Sequence, residues 1–217
     1  MQINRKNIFK RYKWLKEKKL HFIISADYDG IICASFLNHY LKWQLSGYYD
    51  YNSIWLSKEA ILNKKKLIWV DLNILPSTGK SLGGQIISLG DKVPKGFNTS
   101  CNANILYKIN ENNFEKKFPF STLLFLMWLH EIEYTKDDIG KLLLLQSDNT
   151  WMKIQKYSEN VNSWKKNLTE YKWDLLFKGV ENINYELKID QFLYPKLINI
   201  GAATGFSKLM SKHLKIK

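Results

Sequence analysis

A chain of 217 residues, 45% hydrophobic and 14% aromatic, has enough apolar surface to bury a core without disulfides, which excludes a disordered or low-complexity protein. No apolar run approaches the roughly 20 residues of a membrane span. No secretory signal is expected from the first residues, and Cys33 and Cys101 lack metal-type spacing, so a cytoplasmic protein without membrane partners is expected. In chain order, a basic leader over residues 6–19 precedes the apolar run His21-Phe-Ile-Ile-Ser-Ala26, which reads as a buried strand. Residues 31–45 place Ile31, Cys33, Ala34, Leu37, Leu41 and Leu45 near helical spacing, with Gly47 as the stop. A short strand over residues 54–56, a small helix through Ala60 and Leu62 and a strand over residues 67–70 follow. Residues 76–84 read as a loop and 85–89 as a further strand. Beyond that the pattern turns helical: residues 120–129, 141–145 and a longer amphipathic helix over 151–171. From Lys172 onward, Gly179, Pro195, Gly201 and Gly205 mark turns between short elements.

Alternating strands and helices predict an α/β domain with a mostly parallel sheet and flanking helices, followed by a short, mainly helical C-terminal lobe. The expected division is an α/β domain over residues 1–150, then a linker helix and reduced lobe over 151–217. Three of the predicted strands run into an aspartate: Asp27, Asp71 and Asp91. Ligands of open α/β sheets bind beyond the carboxyl ends of the strands. Carboxylates gathered there repel one another unless protons or a cation neutralise them. Hard ions such as Mg or Mn suit such a set, and they support phosphoryl hydrolysis. Taken singly, each aspartate also reads as an ordinary loop or helix-capping residue.

The net charge is +13, almost all of it lysine; arginine occurs only at Arg5 and Arg11. A cationic surface favours polyanions such as nucleic acid, although a coding bias towards A and T gives the same balance. Scarce arginine argues against base-edge reading and for backbone contacts. Among the aromatics, Trp43, Trp69 and Trp128 read as core. Trp151, Trp164 and Trp173 lie among lysines and read as the better surface candidates for stacking on bases. Lys64-Lys-Lys66 and Lys165-Lys166 read as solvated faces, and His39, His130 and His213 as structural.

The run Ile23-Ile-Ser-Ala-Asp27-Tyr-Asp29-Gly30 resembles the first motif of the DHH phosphoesterase superfamily, which contains RecJ-type exonucleases and nano-RNA phosphodiesterases. Leu67-Ile-Trp-Val-Asp71 is similar to its second motif, and Asp91-Lys92-Val93 stands where Asp-His-His belongs. Ser100-Cys-Asn102-Ala-Asn104 resembles the Asn-rich segment that follows, and Leu143-Leu-Leu-Gln-Ser-Asp148 the fourth motif. The match covers roughly residues 20–150. It implies a metal-dependent phosphodiesterase or nuclease acting on single-stranded nucleic acid or short oligonucleotides. The resemblance makes Asp27, Asp29, Asp71 and Asp148 the ligands of Mn2+ or Mg2+ and places Asp91 beside them. Lys92 and Val93 replace the name-giving histidines, and Ser25-Ala26 the histidine ahead of the first aspartate. Lys92 is then expected to contact phosphate, or to take the place of a lost metal. The alternative is a catalytically degenerate member serving as a nucleic-acid- or protein-binding subunit of a larger complex. Gly201-Ala-Ala-Thr-Gly205-Phe206 is similar to the tail of the family's substrate loop; it also reads as a plain loop before a terminal helix over 206–214. Asp27-Tyr-Asp29-Gly30 further resembles the Asp-x-Asp-Gly of haloacid-dehalogenase-type phosphatases. There a flap precedes the helix, whereas here a helix is expected at once.

Overall fold

A computed structural model describes residues 4–90, 93–134, 137–199, 206–208 and 214–216. The chain divides into two compact units, Met1–Phe118 and Pro119–Lys217. The first unit is built on a six-stranded sheet. Its elements are α1 (Arg5–Arg11), β1 (His21–Ser25), α2 (Tyr28–Phe36), β2 (Gln44–Tyr49), β3 (Ile54–Leu56), α3 (Lys58–Leu62), β4 (Ile68–Val70), β5 (Lys80–Gly83), β6 (Ser100–Asn102) and α4 (Ala103–Leu106). The strand order is β3-β2-β1-β4-β5-β6. Only the β2–β3 pair is antiparallel. The expected α/β class with a mostly parallel sheet is therefore observed.

β1 is central and buried over Phe22–Ser25, as its near-continuous apolar sequence requires of a parallel strand covered on both faces. The leader is ordered rather than merely basic. Asn4 caps α1, and Tyr12, Trp14, Phe22 and Trp43 form a chain of ring contacts 6.1–6.3 Å between centroids. α2 ends earlier than its periodicity suggests. It passes through a π-helical turn over Leu37–Leu41 and stops at Lys42 in the left-handed region. Gly47 is no helix stop; it lies in β2, where an added Cβ would stand 2.1 Å from the Trp55 carbonyl oxygen. Close approach within the β2–β3 hairpin, not turn chemistry, requires glycine there.

The strand predicted over residues 85–89 is misplaced. Pairing beside β4 is made by Lys80–Gly83, with Leu82 in register with Val70 on one side and Cys101 on the other. Residues 85–89 leave the sheet and retain only an isolated bridge from Ser88 to Asn110. The cause is a buried amide. Asn104, 0% exposed, donates from Nδ2 to the Gly84 carbonyl at 2.5 Å and accepts the Phe118 N–H at 2.7 Å. Gly84 is thereby tied to a side chain instead of a ladder. Asn102, at the end of β6, caps α4 by accepting the Asn104 N–H.

The second unit contains α5 (Thr122–Leu129), α6 (Asp138–Gln146), α7 (Thr150–Lys156), α8 (Ser158–Asn167), α9 (Trp173–Phe177), α10 (Tyr185–Lys188) and α11 (Tyr194–Asn199). Every residue of α5 is buried, as expected of a helix that is apolar all round. The long helix predicted over 151–171 is two helices, because the backbone leaves helical geometry at Tyr157. Trp151 and Trp164 are both buried. One unbroken helix would turn them to roughly opposite faces. An antiparallel pair, β7 (Phe206–Lys208) and β8 (Leu214–Ile216), stands where a terminal helix was the plain expectation. Residues 201–205, with most of the glycine-rich resemblance, lie outside the described residues, as does His213. No helix among the described residues is long and apolar enough to cross a membrane.

Candidate functional site

The sheet reverses its winding between β1 and β4: the chain moves from β1 outward to β2, then returns to β4 on β1's other side. This is the topological switch point at which open α/β sheets leave a crevice beyond their carboxyl ends. Two of the predicted aspartates flank it. Asp27 follows β1 as the N-cap of α2, its Oδ1 accepting the Gly30 N–H at 2.9 Å. Asp71 directly follows β4 with φ of +57°, a conformation that aspartate tolerates better than most residues. Its N–H still bonds the Leu82 carbonyl at 2.9 Å, so the turn is made without losing the ladder.

One side chain joins them. The Ser25 hydroxyl, at the last position of β1, lies 2.7 Å from Asp27 Oδ1 and 3.3 Å from Asp71 Oδ2. A hydroxyl has a single proton to donate. It satisfies Asp27 at the shorter distance, and Asp71 receives at most a weak share. The hydroxyl thus stands within reach of two carboxylates at a site where Asp71 and Ser25 are buried. Asp29 is also buried, in the first turn of α2, where the helix dipole favours a carboxylate. Gly30 is fixed by packing: an added Cβ would fall 2.2 Å from the Ser25 carbonyl oxygen. The Asp-x-Asp-Gly spacing thus lets the helix start directly on the end of the strand.

Asp91 and Lys92 lie outside the described residues, and no strand leads into them, since β5 ends at Gly83. Asp148 belongs to the second unit, in a buried polar run from Gln146 to Thr150. Its Oδ2 receives the Lys153 ammonium at 2.5 Å, while Asp148 and Asn149 both have φ of +49°. Trp151 Nε1 donates to Gln146 Oε1, Gln146 Nε2 to Asn149 Oδ1, and the Ser121 N–H to Thr150 Oγ1. This run closes the turn between α6 and α7. His21 is at the far end of β1, with Nδ1 2.7 Å from Ser46 Oγ.

Among the described residues no group of three or more His, Cys, Asp or Glu is placed to hold a metal ion. Two carboxylates and a hydroxyl match the needs of one hard ion that keeps several waters. They do not make the paired-metal centre that the resemblance implies.

Sequence reasoning missed Ser25, whose only signal was its position where the resembled motif carries histidine. It also misassigned the tryptophans. Trp151, Trp164 and Trp173 are all buried, and Trp55 is the exposed one, at 55%. Comparison with protein-family models, curated proteins and solved structures finds no match.

Proposed function

We propose that the chain is a divergent DHH-type phosphoesterase, hydrolysing phosphodiester bonds of single-stranded nucleic acid or short oligonucleotides. The observation that carries this reading is the Ser25 hydroxyl within reach of both Asp27 and Asp71. It draws together two aspartates 44 positions apart in the sequence, at the crevice where such sheets bind ligands. Asp27 and Asp71 would hold one Mg2+ or Mn2+, with Ser25 setting the orientation of the Asp27 carboxylate and Asp29 adding negative charge nearby. The bound ion supplies water activation and neutralises charge on the phosphate. Lys92 is the candidate phosphate contact. The lysine-rich surface attracts the polyanion.

A second reading, a binding subunit without hydrolytic activity, is favoured by one observation. The Asp148 carboxylate is already neutralised by Lys153, which leaves the resemblance one ligand short. Labelled single-stranded DNA and RNA, incubated with the protein and Mg2+ or Mn2+, separate the two. Degradation that falls at least about a hundredfold in Asp71→Asn supports the enzyme. Intact substrate, still retained by the wild-type protein, supports the subunit.

A further inference from the structure

The face of the β2–β3 hairpin turned away from α3 carries an uncovered aromatic pair. Tyr49 and Leu56 pack toward Ala60 and Ile23. An added Cβ on Gly47 would also meet Leu56 and Ile23. Strand side chains alternate between faces, so Tyr48 and Trp55 point the other way. They are cross-strand partners, with centroids 6.2 Å apart and ring planes inclined by 22°. They remain 43% and 55% exposed. Trp55 is also oriented: its Nε1 reaches Asp50 Oδ2 at 3.4 Å. Asp50 is held ionised by N–H donation from Ser53 and Asn52, which pushes its carboxyl below the usual range.

The charge around this pair is one-sided. Lys42, Lys58, Lys64, Lys65 and Lys66 are exposed, and none makes an ion pair with a described residue. The acidic residues between positions 42 and 66 are Asp50, at the hairpin tip, and Glu59. A polyanion is thus repelled at the tip and attracted toward the end of the hairpin where β3 leads into Lys58.

We infer that Tyr48 and Trp55 form a stacking platform for the bases of single-stranded nucleic acid, with the phosphate backbone running toward Lys42, just before β2, and Lys58, just after β3, at the end of the hairpin away from Asp50. Exposed near-parallel rings on a β-surface, flanked by cations, are what sequence-tolerant single-strand binding uses. A duplex, whose bases are already stacked, gains little from such rings. The inference rests on the nucleic-acid part of the reading above, but not on hydrolysis.

The test is the affinity for a fluorescein-labelled oligothymidylate of about 12 nucleotides, measured by anisotropy in EDTA so that no cleavage intervenes. Trp55→Ala is expected to weaken binding about tenfold or more, and Trp55→Phe much less. An abasic oligomer of the same length should bind wild type and Trp55→Ala alike, because only phosphates remain to be recognised. Unchanged thermal midpoints of the exposed-site variants confirm that each is folded. Equal affinity of wild type and Trp55→Ala for the oligothymidylate overturns the platform. So does an equal loss on the abasic oligomer, or a self-association that Trp55→Ala abolishes while oligonucleotide binding stays intact. Failure of hydrolysis alone leaves these outcomes untouched, so the two proposals stand or fall separately.

Discussion

At the scale of single residues, the first motif is a problem of distance. Gly30→Ala sets a methyl group against the Ser25 carbonyl oxygen. This is expected to cost about 1–3 kcal/mol, read as a lower urea midpoint at unchanged slope. Asp148 has a different task. Its partner Lys153 is mostly buried with it, at 23% and 10% side-chain exposure. Lys153→Met should remove the ammonium from the mostly buried Asp148 carboxylate and cost about 1–3 kcal/mol. The double variant Lys153→Met/Asp148→Asn should recover part of that loss in the same denaturation assay, since both charges are then gone. The aspartates were legible together rather than singly: each alone is an ordinary capping or turn residue, and what drew notice was that three predicted strands each run into one. Their partners were not: that Ser25 reaches both Asp27 and Asp71, or that Lys153 meets Asp148, depends on side-chain direction, which a linear pattern does not contain.

At the scale of elements, strands buried on both faces announced themselves. β1 and β4 are continuous apolar runs, and the parallel class followed from their alternation with helices. β5 did not, because Lys80-Ser-Leu-Gly83 offers one large apolar side chain and earns its place through register with β4 and β6. The helix break at Tyr157 was hidden because each half is amphipathic by itself. Asn104 decides where β5 ends, and its loss should be felt across that corner. Asn104→Ala strands the Gly84 carbonyl and the Phe118 N–H in a buried setting, for an expected cost of about 2–4 kcal/mol. Amide exchange should speed up most at Phe118, whose N–H loses its acceptor, and this distinguishes the effect from uniform destabilisation.

At the scale of the whole molecule, charge and burial set the behaviour. With a net charge of +13, affinity for single-stranded oligonucleotide should fall steeply with salt, log K declining with log salt by about 0.7 per phosphate engaged. Cys33 and Cys101 are fully buried, and burial pushes the Cys101 thiol well above its usual range. Neither should react with a thiol reagent at mildly alkaline pH until the chain unfolds. The central claim is that Asp27 and Asp71, joined by Ser25 across the β1/β4 switch point, share one cation. Calorimetric titration of Mn2+ into wild type, Asp27→Asn, Asp71→Asn and the double variant measures this directly. The account predicts one site in the wild type, lost nearly completely in each single variant, with little further loss in the double. Equal Mn2+ affinity in all four proteins, or losses that simply add, would contradict it.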